Sequence, residues 1–203
     1  NTTMIFQALT WEARDTDDEH LISIFGKTDD AKSVCLTTTF TPYFFIKLPD
    51  KIDAARIQRV YNILNEKCRD SLVAYSAMKS KDVWGFQNNQ EFLYMKLDFK
   101  NLQARRLVDS FLRKPLTQNP DLYEIFGVKN VKVYESNLDP VLRLMHRTGI
   151  QSTGWLDTGD KCIRSHLANV DTDLFCNDWT TLKPVARDDI APFVVASVDI
   201  ECN

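Results

Sequence analysis

Over the first forty positions apolar and polar residues alternate in short runs: MIFQALTWEA, then HLISIFGK, then SVCLTTTF. The acidic DTDDE and the polar KTDDAK separate them, and both are good turn chemistry. Period-two alternation broken by such turns predicts three short strands in a β-meander over residues 1–41. The run Asp15 to Glu19 reads as a solvated loop.

From residue 42 onward the period changes. PYFFIKL is an aromatic and β-branched run suited to a buried strand, and IDAARIQRVYNILNEKC follows, with Ile57, Val60, Tyr61, Leu64 and Cys68 at helical spacing. Two extended runs, SLVAYSAMKSKDVWGF and EFLYMKLDF, are joined by the turn-prone QNNQ. Asn101 is a suitable cap for a second helix, NLQARRLVDSFLRK, and VKVYE closes the set after an insertion over residues 115–130. The order over residues 42–134 is βαββαβ, the ferredoxin-like arrangement also used by RNA-recognition motifs. It predicts helices beginning near Ile52 and Leu102 on one face of an antiparallel sheet.

Residues 135–190 read as a helix, a hairpin and a linker. Asn137 or Asp139 can cap the helix, Pro140 suits its first turn, and Leu138, Val141, Leu142 and Met145 suggest an apolar stripe ending at Gly149. STGWLDTGDKCIRSHLANV has the look of a hairpin, and TTLKPVARDDIAP is a polar linker. A boundary there puts FVVASVDIECN, within residues 191–203, at the start of a new fold. The fold class is therefore α+β: a meander, a ferredoxin-like subdomain and the first strand of a further domain.

Composition narrows the function classes. The 203 residues are 44% hydrophobic and 26% charged, as in ordinary globular proteins. No apolar stretch is long enough to span a bilayer, and NTTMIFQALTWEARD lacks the features of a signal peptide, so an intracellular location is expected. The cysteines (35, 68, 162, 176 and 202) never form a C-x-x-C pair and read as reduced, mostly buried thiols. His20, His146 and His166 are too scattered for a zinc site. A net charge of −3 argues against a dedicated duplex-DNA reader but allows a local basic groove.

Two sets of residues carry candidate chemistry. Trp84, Phe86, Phe92 and Tyr94 fall where RNA-recognition motifs stack bases, although no basic-Gly-aromatic signature accompanies them, and core packing is the competing use. Arg143 and Arg147, four apart on a helix, could meet phosphates or lie on an ordinary solvated face. The second set is Asp199 and Glu201. On a strand they share one face, and a divalent metal would offset their repulsion; a strand end that has reached water is the alternative.

YESNLDPVLRLMHRTGIQSTGW followed by LKPVARDDIAPFVVASVDIEC resembles the approach to the first exonuclease motif of family B DNA polymerases, of the delta type and of large double-stranded DNA viruses. VWGF and GKTDDAKSVCLTTTFTPYFFIKLP are similar to the amino-terminal domain of that family, so the likeness spans nearly the whole chain. Val198 departs from the pattern, the family commonly having an aromatic residue there. The resemblance implies that Asp199 and Glu201 hold Mg²⁺ in a 3′→5′ proofreading exonuclease of RNase H-like fold whose first strand begins in residues 191–203. It implies a parent enzyme, a DNA-directed DNA polymerase, acting on DNA primer-template and deoxynucleoside triphosphates in a nucleus or viral replication site. A sliding clamp is a further partner it allows; no membrane is involved. The 203 residues alone would be an amino-terminal fragment, inactive, bordering the template. A free-standing single-stranded nucleic-acid-binding module with a ferredoxin-like core is the alternative.

Overall fold

The computed structural model describes residues 3–82 and 88–199. Its strands are β1 (Ile5–Asp15), β2 (His20–Lys27), β3 (Ser33–Thr39), β4 (Tyr43–Lys47), β5 (Leu72–Lys81), β6 (Glu91–Phe99), β7 (Val133–Tyr134), β8 (Trp155–Asp157), β9 (Cys162–Arg164), β10 (Thr172–Cys176) and β11 (Lys183–Val185). The helices are α1 (Ala54–Lys67), α2 (Leu102–Leu112), α3 (Pro120–Phe126) and α4 (Pro140–Thr148). The chain divides into two compact units, residues 1–14, 21–40 and 140–203 in one, residues 15–20 and 41–139 in the other.

In the first unit the sheet runs β11-β8-β1-β2-β3-β10-β9, with the expected meander β1-β2-β3 at its centre. Phe6, Ala8, Ile24, Val34, Leu36, Leu156 and Leu174 form its core. Gly26 lets β1 and β2 close: a Cβ there would lie 1.9 Å from the Gln7 carbonyl oxygen and 2.7 Å from the Phe6 ring. The expected hairpin at 152–170 does not form. β8 pairs antiparallel with β1 and β11, whereas β9 pairs with β10, which in turn runs parallel to β3. Alternation of apolar residues fixes which face a strand buries, not which strand it pairs with. Nor does the expected apolar stripe govern α4: its buried residues are Pro140, Arg143 and Leu144, while Leu142 is 62% exposed. Cys35, Cys68, Cys162 and Cys176 are buried and free.

The second unit carries the predicted βαββαβ order, with the sheet arranged β5-β6-β4-β7 and every pairing antiparallel. Phe44 and Ile46 of β4 and Met95, Leu97 and Phe99 of β6 join Ile57, Val60 and Leu64 of α1 and Ala104, Val108 and Leu112 of α2 in one core. Both helices therefore cover the same sheet face, as expected. Asp53 caps α1, its carboxylate accepting from the Arg56 N–H at 2.7 Å. The insertion contributes α3, which opens on an Asn119 cap and stops at Gly127 in the left-handed region, φ 63°.

The N-terminus of α2 is closed from two directions. Asn101, the expected cap, accepts from the Ala104 N–H at 2.9 Å. Asp15 accepts from the Leu102 and Gln103 N–H groups, each at 3.0 Å, and lies 2.6 Å from His20 Nδ1. Asp15 is thus not part of a solvated loop: it ends β1 and satisfies helix donors that otherwise have no intrahelical partner.

Residues 191–199 have no regular secondary structure, and Val194, Val195 and Val198 are 88%, 89% and 83% exposed. The strand expected from VVASVDIEC is therefore not formed over its described residues. A strand needs a neighbour to take its backbone hydrogen bonds, and no described strand pairs with this segment.

Burial pushes the Asp15 carboxyl up, but hydrogen bonds from Leu102, His20 and Gln103 outweigh it and hold the group below the usual carboxylate range. The ionised form is therefore favoured on folding. Its contribution is complete above the unfolded value of about 4 and is lost as pH falls through the lower folded value. Asp15→Asn should lower stability at pH 7 by about 0.5–1 kcal/mol. Urea denaturation at pH 7 and pH 3 checks this: the gap between wild type and variant should narrow at pH 3.

Candidate nucleic-acid interface

With both helices on one side of the four-stranded sheet, the alternate residues of each strand face the other way. On β4 these are Tyr43, Phe45 and Lys47, and on β6 Phe92, Tyr94, Lys96 and Asp98, the set that alternates with the core residues. Register places them in rows: Tyr94 between Met78 and Lys47, and Phe45 between Lys96 and Tyr134.

A polar network ties one end of this face. Lys47 Nζ lies 3.1 Å from Asp82 Oδ2 and 3.3 Å from the centre of the Phe92 ring. The Tyr134 hydroxyl donates to the same Asp82 oxygen at 3.1 Å, and the Tyr94 and Tyr134 rings meet edge to face at 5.5 Å. The Asp82 side chain is only 2% exposed. Burial, the hydrogen bond to Asp82 and its negative charge together push the Tyr134 hydroxyl well above its ordinary value, and burial followed by the Asp82 charge raises Tyr94. Towards the other end, Lys96 Nζ sits 2.6 Å from Asp98 Oδ1 and 4.3 Å from the Tyr43 ring centre. Rings held by neighbours and flanked by lysines are the parts from which single strands are gripped, rings for bases and cations for phosphates.

The expected site residues are distributed unevenly. Phe92 and Tyr94 are on this face. Trp84 and Phe86 lie outside the described residues. On α4, Arg147 is exposed but Arg143 is buried at 6% exposure, so the two do not present one cationic face to solvent. Asp199 is exposed at the end of the irregular segment, and Glu201 lies outside the described residues. Among the described residues no group of three or more His, Cys, Asp or Glu side chains is placed to hold a metal. Tyr43, Phe45, Lys47, Asp82 and Tyr134 were not anticipated. The alternation within PYFFIK marks the first three, whereas Asp82 and Tyr134 join only through the sheet order.

The fold is shared with a solved family B DNA polymerase from the hyperthermophilic archaeon Pyrobaculum calidifontis, with a TM-score of 0.63 at 16% identity over 93% of this chain and 21% of that one. By sequence the chain resembles viral and delta-type DNA polymerases over nearly all its length. The DNA polymerase of Acanthamoeba polyphaga mimivirus is 29% identical across 97% of this chain and 12% of its own length. That of Paramecium bursaria Chlorella virus NY2A is 26% identical across 98% of this chain and 21% of its own. The DNA polymerase delta catalytic subunit of Schizosaccharomyces pombe is 23% identical, covering 89% and 17%. The chain thus spans about a fifth or less of these relatives. No protein-family model matches it.

Because Asp82 serves both Lys47 and Tyr134, Asp82→Asn should act on both. Losing the charge opposite Lys47 is expected to cost about 2–3 kcal/mol, less than for a fully buried pair because Lys47 keeps some contact with water. The Tyr134 ionisation should move down towards the ordinary value of about 10. Alkaline titration of tyrosinate absorbance, with Tyr134→Phe to assign the transition, checks the second effect.

Proposed function

We propose that the chain is the amino-terminal part of a replicative DNA-directed DNA polymerase with 3′→5′ proofreading, reaching into the first exonuclease motif. The observation that carries this is the likeness of nearly the whole chain to only 12–21% of several viral and delta-type DNA polymerases, read together with its closing DIE. The parent's substrates are primer-template DNA and deoxynucleoside triphosphates, its metal is Mg²⁺, and it works at an intracellular replication site, nuclear or viral. Within it this chain is a structural support that borders unpaired template.

Asp199 and Glu201 are the carboxylates that would hold exonuclease metal. Carboxylate oxygens suit Mg²⁺, and Asp199 already faces solvent rather than a buried partner. Bound there, a metal pair would activate water and stabilise the leaving oxygen in phosphodiester cleavage. Two carboxylates from one segment leave most of an octahedral shell unfilled, so further ligands must come from the rest of the parent.

Two outcomes follow. The 203-residue chain with primed template, nucleotides and Mg²⁺ should neither extend nor trim the primer; protein-dependent activity would refute the fragment reading. In the parent, Asp199→Ala with Glu201→Ala should abolish trimming of a mismatched primer and leave nucleotide addition largely intact. Trimming at the wild-type rate would overturn the assignment.

A further inference from the structure

In the first unit two buried cysteines face each other across the sheet: Cys162 on β9 and Cys176 on β10 are partners in an antiparallel pair. Further along the same ladder the Ser165 N–H donates to the carbonyl of Asp173, directly opposite, at 2.9 Å, so Ser165 and Asp173 are a hydrogen-bonded pair. Facing pairs alternate along an antiparallel ladder, and three steps on Cys162 and Cys176 are therefore a non-hydrogen-bonded pair, the kind with the closer side chains and Cα atoms about 4.5 Å apart. That spacing lies within the roughly 4.4–6.8 Å that a disulfide spans. We propose that Cys162 and Cys176 are a redox modification site that closes to a reversible disulfide when hydrogen peroxide reaches it.

Three features set this pair apart. The first is an unequal division of roles. Hydrogen bonding with Cys162 draws the Cys176 thiol below its ordinary range against the opposing effect of burial, while the same contact and burial together push Cys162 up. One sulfur is thus the readier nucleophile and its neighbour a protonated thiol placed to resolve what the first forms. The second is position. β9 has three residues and a strand neighbour on one side only, and Ile163 within it is 47% exposed. Both cysteines are buried, so an oxidant reaches them when this short edge strand lifts from β10, an opening of low cost. The third is contrast. Cys35 stands opposite Phe25 and Asp173, and Cys68 lies at the end of α1. Burial raises both of those thiols, Cys68 to about 11, and keeps them protonated.

The Cys176 thiolate attacks one oxygen of hydrogen peroxide, the O–O bond breaks, and with one proton taken up the products are a sulfenic acid and water. The Cys162 sulfur then attacks the sulfenic sulfur; the S–S bond forms, and the displaced hydroxyl leaves with the Cys162 proton as a second water. Two thiols give up two electrons and two protons, and peroxide becomes two waters. A dithiol reverses the change, so in a reducing compartment the bond is transient. While present it ties β9 to β10, whose Cys176 carbonyl already accepts from Thr38 Oγ1 of β3 at 2.8 Å, and so braces the sheet edge.

The experiment treats the folded 203-residue chain, carrying Cys202→Ser so that four cysteines remain, with hydrogen peroxide and maps its disulfides by mass spectrometry after proteolysis. Two thiols should be lost, the peptides holding Cys162 and Cys176 should be joined, Cys35 and Cys68 should be unchanged, and dithiothreitol should restore all four. Oxidation should raise the melting temperature by roughly 5–10 °C, the scale expected for closing a loop of about 15 residues in a protein of this size. A further Cys162→Ser change should remove that rise and leave at Cys176 a sulfenic acid that dimedone labels, whereas Cys176→Ser should leave Cys162 unlabelled. Absence of the linked peptides, or a link that forms only in urea, refutes the site. Dimedone labelling of Cys162 in place of Cys176 refutes the division of roles, and a melting temperature that does not rise refutes the brace. The peptide map needs no change at either residue, so it decides the matter even if the single variants fail to fold.

Discussion

Two helices can cover only one face of a four-stranded sheet, and the structure of the second unit follows from that. In a βαββαβ chain both crossovers are right-handed, so α1 and α2 must land on the same side. Of the sheet residues that meet them, Phe44, Ile46, Leu97 and Phe99 lie at 0% exposure. Their sequence neighbours Tyr43, Phe45, Phe92 and Tyr94 are forced to the other side, where Tyr134 joins them. The protein keeps that side ordered by pairing rings with lysines and lysines with aspartates. Lys47 serves Asp82 and Phe92 at once, and Lys96 serves Asp98 and Tyr43. The result is a face with the chemistry of a ligand surface and the fixity of a core.

The same economy holds at the start of α2. A helix N-terminus presents donors with no partner in its own helix, and here Asn101 takes one while Asp15, at the end of β1, takes two. A residue that reads as part of a solvated acidic turn thus holds the second helix and, through His20, the start of β2. Local composition described its surroundings correctly and its partner not at all.

That division describes the legibility of the whole chain. The meander strands, both helices of the βαββαβ set and the Asn101 cap were readable because their signals are local: period, turn chemistry and a polar residue before an apolar run. β10 and β11 were missed, being short, β10 lying between the stretches read as hairpin and linker and β11 within the linker, and their pairing with β3 and β8 is set by residues more than a hundred positions away or by a strand itself unpredicted in register. Phe92 and Tyr94 could be placed on a candidate surface from the strand alternation. Asp82 and Tyr134 could not, because their meeting depends on the β5-β6-β4-β7 order. Arg143 carries a charge that suggested exposure, yet its helix buries it beside Leu144.

The most direct test of the account is a map of which rings sense an unpaired strand. Aromatic resonances of the chain, recorded with and without a six-nucleotide oligothymidine, should shift for Phe45, Tyr94 and Tyr134 while Phe44 and Phe99, on the helix-covered face, stay in place. Shifts confined to α4 around Arg147, or equal shifts on both faces of the sheet, would contradict the claim that one-sided burial leaves this sheet a nucleic-acid face.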